Sequence, residues 1–186
     1  MIRNLFIASL SIFIVVACKP GIDSETYKKY RDKGDGITNQ AQATLLANVG
    51  AAIHEGGPQY AVEFCNLKAS GIIDSLNLLY SCNISRVSDR NRNPNNNLKT
   101  KIDEEIWNIF LEQPLNDTLL VSGENYIYFK RINTAMPACL KCHGTPEKDI
   151  DRATLEKLSS LYPQDLATGY SLNDFRGLWR VAFEVD

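Results

Sequence analysis

The 186-residue chain predicts an α+β domain on three observations. Apolar residues recur at helical spacing in its first half, short alternating strands crowd its second half, and the composition is globular, 44% hydrophobic and 23% charged. Thr38 can cap a helix running to about Ile53, with Ala41, Leu45, Val49, Ala52 and Ile53 on one face. Gly56-Gly57 ends it. Pro58 suits the first position of a second helix through about Ala69, with Tyr60, Phe64 and Leu67 as its apolar stripe and Ala61 and Cys65 one turn apart beside it. Strands are expected at 83–87, 118–121, 126–132 and 178–185, and further helices near 102–111 and 152–161. The last strand is the clearest, because Trp179, Val181, Phe183 and Val185 alternate with polar or small neighbours. Tyr126 and Tyr128 share one strand face, which points to sheet packing. The expected architecture is therefore N-terminal helices packed on an antiparallel sheet.

Arg3 precedes an uncharged apolar stretch from Leu5 to Ala17, the length of a signal-peptide core and too short to span a bilayer comfortably. It closes in Val15-Val16-Ala17-Cys18, which resembles the lipobox of bacterial lipoproteins. Residues 1–17 are read as a lipoprotein-type signal peptide and Cys18 as the lipidated first residue of an exported, membrane-anchored chain on the periplasmic side. An ordinary secretory signal with an incidental cysteine is the alternative, and it exports the domain equally. The segment 18–36 is polar and broken by Pro20, Gly21, Gly34 and Gly36, so it reads as a tether, with a short helix possible over Glu25 to Arg31. Residues 37–186 form the domain. Loss of Arg3 with the signal moves the formal charge from −2 to −3, and nothing in it suggests nucleic acid as a partner.

The chemistry concentrates in Cys139-Leu140-Lys141-Cys142-His143-Gly144. Cys-x-x-Cys-His is the attachment pattern of a c-type haem: two thiols so spaced can form thioethers to the two vinyl groups of one porphyrin, and the adjacent imidazole can coordinate its iron. Gly144 adds no side chain to obstruct the ring. A thioredoxin-like pair would need a helix N-terminus in a βαβ setting. A structural zinc site would need a second ligand pair, where the chain offers only separated Cys65, Cys82 and His54. One covalently bound haem c is the expectation.

His143 fills one axial position of the iron. For the other, the residue types leave His54, Cys65, Cys82, Met136 or an open site. His54 falls at the end of the first expected helix, where an imidazole often serves only the terminal carbonyls. Met136 is three residues from Cys139 and poorly placed to reach the opposite face. Of five cysteines, one lipidated and two joined to haem leave Cys65 and Cys82, which could also be small buried hydrophobes or a disulfide. Arg86, Arg90 and Arg92 cluster around the asparagine-rich turn of 91–97, and a planar guanidinium suits haem propionates; the same residues also make an ordinary solvated turn.

Val62-Glu63-Phe64-Cys65, Ser85-Arg86-Val87-Ser88, Arg92-Asn93-Pro94-Asn95-Asn96, Cys139 to Gly144 and Ala167-Thr168-Gly169-Tyr170, in this order, resemble the exported c-type monohaem family with a PAS-like fold, catalogued as a domain of unknown function. The resemblance spans about residues 38 to 185 and is looser over Tyr170 to Gly177. It implies a PAS-like sheet holding haem c between a histidine and a cysteine, which fall on His143 and Cys65. It also makes thiolate ligation, and with it a low reduction potential, the expected state of the iron.

Three functions are compatible with these readings: a redox or small-ligand sensor acting through a separate signalling partner, an electron carrier of the cell envelope with a redox partner, and a haem peroxidase-like enzyme. The last would need a distal acid–base residue, for which His54 is the sole candidate. No Ser-His-Asp set, phosphate-cradling glycine loop or carboxylate pair can be argued from spacing, so a role in conventional catalysis is not expected.

Overall fold

A computed structural model of the chain describes residues 22–122 and 125–184. The stretch read as a signal peptide and the expected lipidation site, Cys18, lie outside the described residues. The first element, α1 (Ser24–Tyr80), is two helical arms joined at a kink. Asp23 caps it, its carboxylate accepting from the Thr26 and Glu25 backbone N–H groups at 2.9 and 3.1 Å. The kink falls at Gly56-Gly57, where Gly57 takes φ 76°, a conformation that favours glycine, and Pro58 restarts the helix.

Both arms outrun their expected limits. The first begins at Ser24, so the segment read as a tether is domain from there on. Its reason is tertiary: Gly34 passes so close to the sheet that a Cβ there would lie 2.4 Å from the Tyr128 ring. Arg31 pairs with Asp117 at 2.6 Å and Lys130 with Asp35 at 2.6 Å. Thr38 is not a cap but an interior residue, its hydroxyl donating back to the Gly34 and Asp35 carbonyls at 2.9 and 3.0 Å. The second arm continues past Ala69 to Tyr80, and its buried face is Val62, Ala69, Ile73 and Leu76 rather than the expected stripe. Leu67 is 65% exposed. Val62, Ala69, Ile73 and Leu76 recur at intervals of seven, four and three, which puts them on the helix face opposite the Tyr60, Phe64 and Leu67 stripe.

The strands β1 (Asn83–Val87), β2 (Asp117–Ser122), β3 (Asn125–Asn133) and β4 (Phe175–Glu184) form an antiparallel sheet in the order β1-β4-β3-β2. Alternation sorts its side chains. Ile84, Tyr128, Trp179, Val181 and Phe183 pack against α1, while Val87, Ile127, Phe129 and Leu178 pack against α2 (Lys101–Glu112) on the other face. Tyr126 and Tyr128 do serve packing: Tyr128 is fully buried, and Tyr126 lies with its ring centroid 4.2 Å from that of Tyr30. α2 starts in a reciprocal capping box between Thr100 and Asp103. α3 (Pro137–His143) was not expected from the sequence, while α4 (Arg152–Leu161), capped by Asp151, follows the expected bounds. Among the described residues no helix is long and apolar enough to cross a membrane. Where the kinked α1 crosses the ends of β1 and β3, with α3 on the remaining side, the packing leaves a cavity.

Candidate cofactor site

Cys139, Cys142 and His143 are three and four residues apart on α3, which places them on one helix face, and all three line the cavity. A seven-residue helix without a side-chain cap does not stand alone. Its C-terminal end is held from outside. The Tyr170 N–H donates to the His143 carbonyl at 2.9 Å and the Gly169 N–H to the Gly144 carbonyl at 2.7 Å. Arg92 donates to the Cys142 carbonyl and, at 3.3 Å, to that of Ala167, while its Nε pairs with Asp165 at 2.9 Å. The asparagine-rich turn and the 167–170 run, some seventy residues apart in sequence, thus meet as one clamp on the cysteine-bearing helix. Gly144 is required by that helix itself, because a Cβ there would lie 2.6 Å from the Leu140 carbonyl and 2.5 Å from the Asp149 side chain. This packing, rather than clearance for a ring, accounts for the glycine.

The His143 Nδ1 lies 2.7 Å from the Ala167 carbonyl. A carbonyl only accepts, so Nδ1 carries the proton and Nε2 keeps its lone pair. Burial, reinforced by Arg92 and Arg176, holds this imidazole well below its ordinary pKa of 6.5. It is therefore a neutral donor throughout the physiological range. The Tyr170 ring meets it edge-on, at a centroid distance of 6.4 Å and 90° between planes.

Cys65 enters the same cavity from the second arm of α1. Burial pushes its thiol up, against the opposing pull of Arg86 and Arg92. Burial likewise pushes the Cys142 thiol up to about 11. The cavity opens to solvent on one side, and cavity and mouth together span about 1200 Å³ of atom-free space. Leu45, Val49, Ile53 and Val62 supply an apolar wall, and Arg86, Ser88, Asn91 and Arg176 a polar one.

The other expected donors stand apart. His54 is exposed just ahead of the kink and does not line the cavity. Met136 is 40% exposed at the N-terminus of α3. Cys82 packs beside the α1 face of the sheet, and it and Cys65 are both free thiols rather than a disulfide. Among the described residues no three His, Cys, Asp or Glu side chains converge as a bare-ion site.

The arginines divide. Arg90 is outside the cavity lining, its guanidinium on the Leu166 and Thr168 carbonyls and 4.2 Å above the Tyr170 ring. Arg92 lines the cavity but is committed to Asp165 and two carbonyls. Arg86 lines it with no hydrogen bond from its guanidinium among the described residues, lying 5.8 Å from the Trp179 ring centroid.

The sequence profile of the Tll0287-like family (Tll0287) matches residues 23–183, nearly the whole described chain. The chain belongs to the Tll0287-like family. The crystal structure of the cyanobacterial heme-protein Tll0287 is similar to it, with a TM-score of 0.66 over 88% of this chain and 97% of that one, at 22% identity. That identity supports a shared fold. No curated protein matches the chain.

In this member of the Tll0287-like family the sequence reading missed Asp165, Tyr170 as a packing partner of the histidine, and Arg176. Asp165 and Tyr170 act through the clamp, which only the fold assembles. Arg176 is the second residue of β4, just after Asp174-Phe175, and no motif marks it. Its Nε is the one buried side-chain nitrogen or oxygen without a partner among the described residues.

Proposed function

We propose that the cavity holds one haem c, joined through Cys139 and Cys142 and carried between His143 and Cys65 as axial donors, and that the chain works as a redox or small-ligand sensor in the bacterial envelope. One observation carries this reading: the Cys-x-x-Cys-His helix face and Cys65, supplied by elements far apart in sequence, line the same cavity. The residues suit the group. A neutral imidazole with a free Nε2 is a competent iron donor, a thiol becomes one by losing its proton to the metal, and the apolar wall suits a porphyrin face. Membership of the family and the likeness to a solved heme-protein support the same assignment. The PAS-like description of the sheet and its flanking helices belongs to this reading as well.

When bound, the haem would supply a one-electron couple and, if a protein donor leaves, a position for a small ligand. His143 is held by the clamp, so its imidazole stays. Cys65 is the donor suited to leave: its thiolate is anionic and therefore favours ferric iron. It also sits on the arm beyond the Gly56-Gly57 kink, a position from which a local shift can reach the first arm. The apolar stretch before Cys18 supports export and lipid anchoring, which would place the domain where a redox or signalling partner could meet it.

The test is the ferrous spectrum with and without carbon monoxide, in the wild type and in Cys65→Ala. Sensing predicts thiolate signals in the ferric wild type that vanish in the variant, and carbon monoxide binding after reduction. An unchanged six-coordinate ferrous spectrum would instead make the protein an electron carrier.

A further inference from the structure

The cavity contains more positive charge than the protein balances. Of its three arginines only Arg92 has a carboxylate, Asp165, within ion-pair distance. Arg86 and Arg176 have none among the described residues. Both side chains are half-buried, and a cation drawn out of water without a counter-charge is costly, so two of them on one wall call for a ligand that brings anions.

The donors of Arg176 tell the same story at atomic scale. Its Nη1 donates to the Ser88 hydroxyl at 3.1 Å, and that hydroxyl in turn donates to the Arg176 backbone carbonyl at 3.0 Å. Its guanidinium carbon lies 5.4 Å from the Tyr170 ring centroid. These contacts aim the group but use one of its five N–H donors, and Nε, one arm of the side-on fork that matches a carboxylate, is buried without a partner. Burial lowers its pKa to about 10, which leaves it charged at neutral pH. Arg86 projects from β1, opposite Trp179 of β4 in the register. Arg176 follows on β4, within reach of the same stretch of chain through Ser88.

We propose that Arg176, with Arg86, binds the two carboxylates of the tetrapyrrole, one guanidinium to each propionate. This rests on the haem reading above and deepens it: two uncompensated cations on one wall match the two anionic groups that the porphyrin carries away from its thioether edge. Arg176 is thus a positioning residue that sets the in-plane orientation of the ring, and through its charge it favours the reduced state.

The experiment uses the holoprotein produced with a c-type haem maturation system, in the wild type, Arg176→Leu and Arg176→Lys. Covalent haem is read by pyridine haemochrome, the equilibrium by redox titration, and propionate contacts by the low-frequency bending bands in resonance Raman. Arg176→Leu is expected to retain haem and both axial donors while the ferrous-over-ferric constant falls about tenfold, a drop of about 59 mV for one electron. Arg176→Lys keeps the charge and should restore most of the potential, yet shift the propionate band because a bidentate contact is lost. A haem-loaded Leu variant with wild-type potential overturns the proposal, leaving the haem reading intact. Should the Leu variant fail to mature, a Lys variant with an unshifted propionate band overturns it equally. A wild type without covalent haem overturns both.

Discussion

The two faces of the sheet treat arginine in opposite ways. On the α2 face each guanidinium is accounted for: Arg180 pairs with Asp103, which is 2% exposed, at 3.0 Å, and Arg131 donates to the Leu115, Gln113 and Phe110 carbonyls. On the cavity side Arg92 is equally committed, but Arg86 and Arg176 are not. The α2 face is finished by the chain itself. On the proposed reading the cavity is finished by an anionic ligand that the chain receives, and the contrast between the faces is what that reading rests on.

That contrast predicts effects of opposite sign. In the haem-free protein Arg180→Leu leaves the Asp103 carboxylate buried without its cation and should cost about 3 kcal/mol in urea unfolding, with a comparable loss for Arg92→Leu at Asp165. Arg86→Leu removes an unpaired, half-buried charge instead and should be neutral or stabilise by about 1 kcal/mol. Equal losses at the three positions would erase the distinction between a completed face and a waiting one.

A smaller effect tests the packing that makes the cavity. Gly34→Ala brings a methyl group against the Tyr128 ring, and overpacking there should cost about 1–3 kcal/mol, measured as a lowered urea midpoint at unchanged slope. An unaffected midpoint would mean that the first arm of α1 is not seated on the sheet. This contact also shows why the arm was read as a tether. Gly34, Gly36 and the surrounding charges carry loop composition locally, and the ring that makes a glycine necessary lies some ninety residues away. The strands were more legible because alternation is local: Trp179, Val181 and Phe183 face α1 and Leu178 faces α2, as a period of two requires.

The site divides in the same way. Cys139, Cys142 and His143 were legible as a motif, and their common helix face agrees with it. Cys65, the proposed second donor, is singled out only by the family resemblance, since the residue types left five candidates including an open site, and the structure adds that it lines the same cavity. Asp165 and Arg176 were not legible, because the role of one is to meet a residue seventy positions away and that of the other is to lack a partner.

The pH dependence follows from His143. Its folded pKa lies well below 6.5, so the unfolded chain binds the extra proton and stability rises with pH across that window. The contribution is fully present above about pH 6.5. It is lost on acidification at up to about 1.4 kcal/mol per unit, until the folded imidazole itself titrates. Comparing the haem-free wild type with His143→Phe by thermal unfolding between pH 5 and 8 isolates it, and identical slopes would contradict the buried neutral imidazole. The smallest effect is chemical. With Cys142 raised to about 11, its thiolate is scarce at neutral pH, and alkylation of the folded haem-free protein should be slow and accelerate on unfolding.

The central claim is the covalent haem between the two halves of this site. Its most direct measurement is the pyridine haemochrome spectrum of the full chain, produced with a c-type maturation system and extracted with acidified acetone. The account predicts that the haem stays with the polypeptide, with the spectrum of two saturated vinyl groups, and that it is lost from the Cys139→Ser/Cys142→Ser protein. Haem that extracts into the solvent, or a wild type that retains none, would contradict it.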